Sequence, residues 1–465
     1  MLQTAVGQGL AQGCRFSDLT LDLNVSGNFQ VAILISGNDC TVDHCNITTS
    51  VTPGSGWTVH AVLTGIVQQC SITDNTIDKA QIKLCNGGGG PIVVARNHIS
   101  NSYAMGISCV TAHAGEVIKD ILISDNIIEL PQGCGIYAGN DINTDPRGSI
   151  TGLVVRGNII NFAGTTAGIY ARLGQVNADW HIQSNTVYNF SSAQPNTFGI
   201  AIAAPSTGNP PISRLVVSDN HVSNVDQAGI GVLCAADAFS ITGNHVTGKV
   251  LGDGSMNTRG IQVSGAGSGS IIGNTSSSSR HGILVESSGP VVVQGNICKN
   301  SRVGGSGDSQ GILVQADTGY TCAVHMIGNR CFDDQATKTQ QYGIRELLNG
   351  GTIVSYYALN DLSGNAISAF GALNANAVVQ LIKGVACGGS VSMGNGQLAV
   401  NVAHNLPRTP SPRDIHVTLS SSPGVSPGAI WVSGCTSTQF TVNVLNATTG
   451  FTFDWHASLS PSFSP

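Results

Sequence analysis

Short segments of alternating apolar and polar residues fill most of this chain, and many of them end in the same phrase. The phrase is an apolar residue, a few polar residues, an asparagine, one further residue and a second apolar residue, as in ITDNTI at residues 72–77. A fixed phrase with spacers of variable length predicts a solenoid built of strands. At steps of 22 to 35 residues, the phrase occurs around Asn75, Asn97, Asn126, Asn158, Asn185, Asn220, Asn244, Asn274, Asn296 and Asn329.

A second phrase, glycine followed by isoleucine and alternating residues, lies between successive asparagine phrases. Each repeat therefore contains one strand that ends at the asparagine and another that starts at Gly-Ile. The period of two is typical of strands with one buried face, and no window shows a sustained helical period. We predict an all-β fold, a single-stranded parallel β-helix of about a dozen turns stacked about 4.8 Å apart. The glycines precede Ile107, Ile136, Ile169, Ile200, Ile230, Ile261, Ile283, Ile312 and Ile344.

The repeated residues are themselves expected to be structural. Asparagine tolerates the left-handed backbone of a sharp corner, and stacked side-chain amides can hydrogen-bond along a rod. Cys45 takes the place of the asparagine in one repeat, and Cys298 and Cys331 stand where other repeats have Ile or Val. Because interior cysteines usually act as small hydrophobes, we expect mostly free thiols, with disulfides as the alternative. No Cys-x-x-Cys pair occurs among the 13 cysteines, which argues against zinc.

The phrases stop near residue 370, and strand-like runs separated by turn clusters follow. These runs, at 414–419, 429–432, 439–444 and 451–455, predict a small β-sandwich, with Trp431, Phe453 and Trp455 in its core. Such a module would cover the open edge of the last turn. We divide the chain into a β-helix at 14–370, a linker at 371–382 and a C-terminal β-sandwich at 383–465. Residues 1–13 are too short to cap the first turn and are interpreted as the remnant of a truncated head or cap.

Composition excludes several classes of function. The net charge is −6 and no long basic run occurs, so we expect no binding of nucleic acid. No stretch of 18 apolar residues is present, so we expect no membrane insertion. With only 10% charged and 41% apolar residues, the chain does not resemble a disordered protein.

No nucleotide loop, Gly-x-Ser-x-Gly elbow or His-Glu-x-x-His helix is present, so candidate sites must be located from the geometry of the repeat. Counted from the isoleucine of each Gly-Ile phrase, residues one and three later should point outward and form columns with a spacing of about 5 Å. One column holds Tyr137 and Tyr170, which could stack on a sugar ring. The alternative is a cross-strand pair that only stabilises the sheet. Neighbouring positions and loops add Arg172, Asp141, Asp145, Arg147 and Asp179.

A second and more polar patch is predicted further along the rod. Arg259 and His281 directly precede their glycines and should stack near Gln310 and Tyr342. Glycine-rich spacers beside these strands are the expected groove walls, because binding and catalytic residues are often found on loops held by a rigid scaffold. The alternative is a solvated face or a subunit contact. The strands and spacers add Gln262, Glu286, Gln315, Arg345, Asp253 and Asp308.

This patch is compatible with a glycoside hydrolase. Such an enzyme needs two carboxylates, about 5–5.5 Å apart for retention of configuration or about 6.5–9.5 Å apart for inversion. Glu286 with either Asp253 or Asp308 would supply them. Glu346 falls in an inward position, where an unpaired charge is costly, and is interpreted as marking the end of regular coiling.

The same patch is compatible with a polysaccharide lyase. A lyase needs a base for the proton next to a uronate carboxylate and a cation that stabilises the resulting anion. His281 or Tyr342 is the candidate base, and Arg259 or Arg345 the candidate cation. The clustered strand aspartates of a calcium-dependent lyase are not evident. We therefore expect no metal and no cofactor, with calcium considered only for a lyase.

The solenoid pattern of residues 14–370 resembles the right-handed β-helix family of pectate-lyase-like proteins, and more narrowly the tailspikes of bacteriophages. The stretches HNLPRTP (404–410) and TGFTFDWHASLSP (449–461) resemble the C-terminal β-sandwich modules of phage tailspikes and tail fibres. The resemblance implies a right-handed helix and a homotrimer assembled through the C-terminal module. It also implies a location on the virion tail or outside the cell, with attachment through a missing N-terminal part.

The resemblance further implies binding and cleavage of a bacterial surface or extracellular polysaccharide. It modestly favours a hydrolase over a lyase. The alternative from another class is a non-catalytic glycan-binding or structural tail protein.

Overall fold

Parallel strands dominate the computed structural model, which describes most of the chain. The described residues are 2–3, 13–23, 29–50, 58–65, 67–85, 90–111, 115–140, 148–163, 166–190, 197–204, 211–249, 258–302, 308–374, 376–380, 388–404, 406 and 409–457. Three long sheets run along residues 2–380, and each turn contributes one strand to each sheet over most of this length. The predicted parallel β-helix is confirmed. None of the described helices is long and apolar enough to cross a membrane.

Sheet 1 contains the Gly-Ile strands and has 14 members in chain order. Its register aligns the isoleucines, so that Ile261 pairs with Ile283 and Ile283 with Ile312. These isoleucines are fully buried. The strands are Leu2–Gln3, Phe29–Ile35, Thr58–Thr64, Gln81–Cys85, Ile107–Thr111, Ile136–Asn140, Ala167–Arg172, Phe198–Ala203, Ala228–Leu233, Arg259–Ser264, His281–Glu286, Gln310–Asp317, Tyr342–Asn349 and Ser368–Phe370.

Sheet 2 contains the strands that lead into the asparagine and has 15 members, with Asn177–Ala178 pairing off the main path. Its last strand, Val378–Gln380, pairs with Thr352–Ala358, so parallel pairing extends past the predicted boundary at residue 370. The other strands are Arg15–Ser17, Thr41–Asp43, Cys70–Thr73, Ile92–Ala95, Glu116–Ser124, Gly148–Arg156, Trp180–Gln183, Leu215–Ser218, Ala238–Thr242, Ser268–Ile272, Val291–Gln294 and Thr321–Ile327.

Sheet 3 follows the asparagine and has 12 short strands. The second residue of each of these strands points into the core, as Ile77, Ile99 and Ile128 do in successive turns. The strands are Thr20–Asp22, Asn46–Thr48, Thr76–Asp78, His98–Ser100, Ile127–Glu129, Ile159–Phe162, Thr186–Asn189, His221–Val225, His245–Gly248, Thr275–Ser277, Ile297–Lys299 and Arg330–Phe332.

The asparagines form a continuous hydrogen-bonded ladder between sheets 2 and 3, as predicted. From Asn75 onward, each donates its backbone N–H and its side-chain Nδ2 to Oδ1 of the asparagine one turn later, at 2.9–3.1 Å. The second Nδ2 hydrogen reaches a backbone carbonyl of an earlier turn, as from Asn185 to Val155 O at 2.9 Å. Cys45 occupies the ladder position and donates its N–H to Asn75 Oδ1. The ladder extends to Asn360, one turn beyond the predicted series.

The left-handed corner lies one residue earlier than predicted. Asp74, Arg96 and Asp125 have φ values of 54° to 60°, whereas the asparagines after them do not have positive φ. The assignment of the left-handed backbone to asparagine was therefore wrong. The asparagine side chain instead reaches inward to the ladder, and the exposed residue before it makes the turn.

The glycine of the Gly-Ile phrase is required by close packing between sheets 1 and 3. A Cβ atom on Gly260 would lie 1.9 Å from Ser276 Oγ and 2.4 Å from Gly282 O. Similar contacts with the next glycine carbonyl occur at Gly106 and Gly135. Any side chain at these positions would force neighbouring turns apart.

Two three-stranded antiparallel sheets follow the solenoid. One consists of Gly388–Met393, Phe451–Ala457 and Ile415–Leu419, and the other of Ala399–Ala403, Gln439–Val444 and Ile430–Ser433, with a short 3-10 helix at Pro412–Asp414. Phe440 and Trp455 bring the two sheets together, because their ring centroids lie 5.1 Å apart. Phe453 and Trp455 are buried as predicted, but Trp431 is 46% exposed, so its assignment to the core was wrong.

The twelve described free cysteines are all buried or half-buried and unpaired by disulfides. This agrees with packed thiols. Burial raises the pKa of Cys134 to about 12, so such a thiol resists ionisation and reaction.

Replacing a ladder asparagine should destabilise the rod far more than replacing its exposed neighbour. In Asn185→Ala, the amide of Asn158 and the carbonyl of Val155 lose their partners while they stay buried. We expect a loss of about 2–4 kcal/mol in the free energy of unfolding. Thr186→Ala, next to it on the surface, should change this value by less than about 0.5 kcal/mol. Urea unfolding followed by circular dichroism measures both, and equal losses would contradict a stabilising ladder.

Candidate functional site

The predicted polar column is present on sheet 1. Arg259 pairs with His281, His281 with Gln310, and Gln310 with Tyr342, each in the next strand. Parallel strands in this register place residues from four turns side by side, although tens of residues separate them in sequence. The predicted alignment of these four residues is confirmed.

A cleft of about 330 Å³ lies over this column. Its volume is at the lower end of the range for ligand pockets. Three leucines that point outward from the strands supply its apolar surface, and charged and amide side chains supply the rest. The lining consists of Arg259, Arg280, His281, Leu284, Asp308, Gln310, Leu313, Gln315, Arg345 and Leu347.

Three arginines converge on the cleft from different turns. Arg345 forms an ion pair with Asp308, and its guanidinium carbon lies 5.7 Å from the ring centroid of Tyr342. Arg280 Nε donates to the backbone carbonyl of Asp308 at 3.1 Å. The buried Nε of Arg259 has no hydrogen-bond partner among the described residues. Burial lowers the pKa of Arg259, and the nearby Glu286 opposes this shift.

His281 is held neutral in the floor of the cleft. It is 6% exposed, and its Nδ1 has no partner among the residues that the structure describes. Burial, followed by the charges of Arg280 and Arg259, lowers the pKa of His281 to about 3. The imidazole is therefore uncharged at neutral pH and can accept a hydrogen bond. The buried Oε1 of Gln310 beside it also has no described partner.

Glu286 borders the cleft and is held by side chains of the turn before it and the turn after it. Its carboxylate accepts hydrogen bonds from Ser264 Oγ at 2.5 Å and from Gln315 Nε2 at 2.8 Å, and Gln262 Nε2 lies 3.5 Å away. Gln262 is 8% exposed, and its Nε2 donates to Ser264 Oγ at 2.9 Å. Because Gln315 lines the cleft, Glu286 contacts the cleft wall directly.

The three remaining carboxylates of the predicted patch differ in where the structure places them. Asp308 lies in the cleft, whereas Asp253 lies outside the described residues. Glu346 is buried at 4% exposure and accepts hydrogen bonds from Ser355, Tyr357 and Asn374 at 2.5–2.6 Å. Both carboxylate oxygens therefore accept hydrogen bonds from protein groups, which fits the predicted structural role of Glu346 at the end of regular coiling.

The tyrosine column differs from the prediction. Tyr137 and Tyr170 do stack, with centroids 5.8 Å apart and an interplanar angle of 25°. However, Tyr137 is only 2% exposed and packs in a small apolar cluster with Val110 and Cys134. The expectation of an exposed aromatic platform was therefore wrong for Tyr137. Burial raises the pKa of Tyr137 to about 12, although the guanidinium of Arg172 lowers it in part.

The structure describes one of the four loop residues that were predicted beside that column. Asp141, Asp145 and Arg147 lie outside the described residues. Asp179 forms an ion pair with Arg214 at 2.5 Å. Among the described residues, the tyrosine column does not form a site comparable to the cleft over Arg259, His281 and Gln310.

Five residues of the cleft region were missed by reasoning from the sequence: Leu284, Leu313, Leu347, Arg280 and Ser264. Arg280 immediately precedes His281, but it lies outside the Gly-Ile strand positions that were counted. Ser264 occupies an outward position, three residues after Ile261, and pairs with Glu286 in the next strand. A search for arginines next to the polar column would have found Arg280.

No group of three or more His, Cys, Asp or Glu side chains within the described ranges could hold a metal ion. The cleft itself offers guanidinium groups, which repel cations and bind anions.

The fold and the cleft together define a single-chain parallel β-helix with a polar groove on one sheet. The tailspike of Pseudomonas phage phi297 matches 90% of this chain and 67% of its own, with a TM-score of 0.52 and 11% identity. The tailspike of E. coli bacteriophage HK620, in complex with a pentasaccharide, matches 94% and 85%, with a TM-score of 0.51 and 9% identity. The periplasmic alginate epimerase AlgG matches 79% and 84%, with a TM-score of 0.45 and 13% identity.

No protein-family model and no curated protein sequence matches the chain. The likeness to the two tailspikes therefore concerns the fold alone.

The neutral state of His281 should make stability depend on pH. Its pKa is about 3 in the folded chain against an ordinary value of 6.5, so the unfolded chain binds more protons between these values. The contribution of the neutral imidazole to the free energy of unfolding is complete above pH 6.5. It is lost as the pH falls toward 3, by about 1.4 kcal/mol per pH unit. Urea unfolding at a series of pH values measures this slope.

His281→Gln should reduce that slope. His60 is also buried, has a pKa of about 3 and lies outside the cleft. Its own contribution to the pH dependence of the free energy of unfolding should therefore remain in the His281→Gln variant. An unchanged slope in His281→Gln would contradict a neutral buried imidazole at residue 281.

Proposed function

We propose that this chain is a tailspike-like depolymerase that binds and cleaves a bacterial surface or extracellular polysaccharide, by glycoside hydrolysis. One observation carries the proposal: the cleft on sheet 1 combines an apolar wall, buried polar atoms without described partners and the carboxylate of Asp308, with a second carboxylate, Glu286, hydrogen-bonded to its wall. Sugar sites need this mixture of flat apolar surface and precisely placed polar groups. The pentasaccharide complex of the HK620 tailspike supports the choice of a glycan.

Hydrolysis requires a proton donor and an anionic partner. A neighbouring guanidinium stabilises a carboxylate anion, so we assign Asp308, paired with Arg345, as the anionic partner. Glu286, which touches the cleft wall through Gln315, is assigned as the acid. Asp253 remains the alternative partner.

Glu286→Gln should reduce cleavage at least about a hundredfold, because general acid catalysis contributes rate factors of that order. Binding and thermal stability should stay nearly unchanged. The measurement is release of new reducing ends from capsule, O-antigen, alginate and pectin polymers. Glu129→Gln is the matched control, because Glu129 pairs with His98 on sheet 3 and is exposed. Full activity in Glu286→Gln would remove Glu286 from the mechanism.

β-Elimination is the second candidate reaction, and the three arginines of the cleft favour it. The imidazole or Tyr342 would take the proton next to a uronate carboxylate, and Arg259 or Arg345 would stabilise the resulting anion. The same assay separates the reactions. New reducing ends accompanied by absorbance of an unsaturated uronate indicate elimination, and reducing ends alone indicate hydrolysis. Loss of elimination in EDTA and its recovery with calcium would identify a calcium requirement.

Polysaccharide binding with no product on any bound polymer would instead identify a non-catalytic glycan-binding or structural tail protein. That outcome contradicts the enzymatic proposal while it leaves the binding site in place.

We further propose a homotrimer located on a phage tail or outside the cell, with the antiparallel C-terminal sheets capping the rod and helping assembly. The two phage tailspikes with this fold support the setting. Light scattering on the intact protein should give three times the chain mass of 47.7 kDa. A stable monomer would contradict the proposed role of the C-terminal sheets.

A further inference from the structure

The cleft on sheet 1 differs in charge from the rest of the molecule. Its lining contains three guanidinium groups and one carboxylate, with His281 neutral, whereas the whole chain has a net charge of −6. Even with Glu286 at the edge, positive charge is in excess locally. An acidic chain that concentrates arginines in one groove attracts an anionic ligand to that groove.

We infer that the cleft recognises a carboxylate carried by the sugar, so that the substrate is an acidic polysaccharide built with uronic or sialic acid residues. This inference rests on the proposed function of the same cleft and specifies its substrate class. It holds for hydrolysis and for elimination alike, because it concerns binding of the sugar and not the reaction.

The arginines leave room for one further anion. Arg345 is paired with Asp308, and Arg280 uses Nε for a backbone carbonyl. The buried Nε of Arg259 has no described partner. Glu286 is the nearby carboxylate, but it does not hydrogen-bond to this Nε. A buried donor without a partner is costly, and a planar carboxylate can accept hydrogen bonds from a guanidinium. A sugar carboxylate would therefore complete the pairing at Arg259.

Two further buried atoms fit the hydroxyl groups of the same sugar. His281 Nδ1 and Gln310 Oε1 are buried, face the cleft column and lack partners among the described residues. A sugar hydroxyl can donate to one acceptor and accept from another donor. Leu347, which also lines the cleft and is half-buried, offers an apolar surface for the ring.

The test compares acidic polymers with the same polymers after chemical reduction of their carboxyl groups to alcohols. Suitable probes are polygalacturonate, alginate, hyaluronan and polysialic acid, at fixed ionic strength. Binding is measured by affinity electrophoresis, and cleavage by reducing ends. We expect at least one native polymer to bind tenfold or more tightly than its reduced counterpart, with a preference that weakens as salt increases.

Arginine variants connect this preference to the cleft. Arg259→Gln and Arg345→Gln should each weaken binding of the acidic polymer about tenfold to a hundredfold, as loss of a charged hydrogen bond does. Both residues are partly exposed, so the fold should tolerate the changes. Arg214→Gln is the matched control, because its partner Asp179 lies outside the cleft.

The outcomes separate this inference from the proposed function. Equal binding of native and reduced polymers, absence of binding to every acidic polymer, or equal loss in Arg214→Gln overturns the carboxylate inference. A preference for sulfated or phosphorylated polymers over all carboxylated ones also overturns it. Carboxylate-dependent binding without cleavage supports the inference and contradicts only the enzymatic proposal.

Discussion

The structure depends on one requirement: each turn must lie in register on the turn before it. In a parallel β-helix the backbone hydrogen bonds run along the rod, so a slip of one residue would move every inward side chain to the surface. The asparagine ladder prevents such a slip. Each asparagine binds both the next asparagine and a carbonyl of an earlier turn, and its buried amide has no other way to satisfy its hydrogen bonds.

The same register creates the cleft. Arg259 and His281 become neighbours because the isoleucines two residues later are locked into the core. The core therefore fixes the spacing of the surface column, while the residue types in the column are not restricted by core packing and can serve binding or catalysis. This division explains why the repeated asparagine phrase contains no candidate catalytic residue, and why the candidate residues lie outside it.

Much of this arrangement could be predicted from the sequence, because inward residues repeat with a period that does not depend on loop structure. The alignment of Arg259, His281, Gln310 and Tyr342 followed from the Gly-Ile phrase alone. Burial of outward residues could not be predicted in the same way. Tyr137 occupies an outward position but is covered by its neighbours, and the side chain of Arg280 reaches the cleft from outside the counted positions. Both depend on side-chain direction and on contacts between turns, which a repeat period does not contain.

The central claim is that the arginine-lined cleft on sheet 1 holds the carboxylate of an acidic glycan. The most direct measurement is a crystal structure of the Glu286→Gln protein soaked with an acidic oligosaccharide. We predict sugar in the cleft, with carboxylate oxygens about 2.7–3.2 Å from guanidinium nitrogens of at least two of Arg259, Arg280 and Arg345. An oligosaccharide bound elsewhere on the rod, with the cleft empty, would contradict the account.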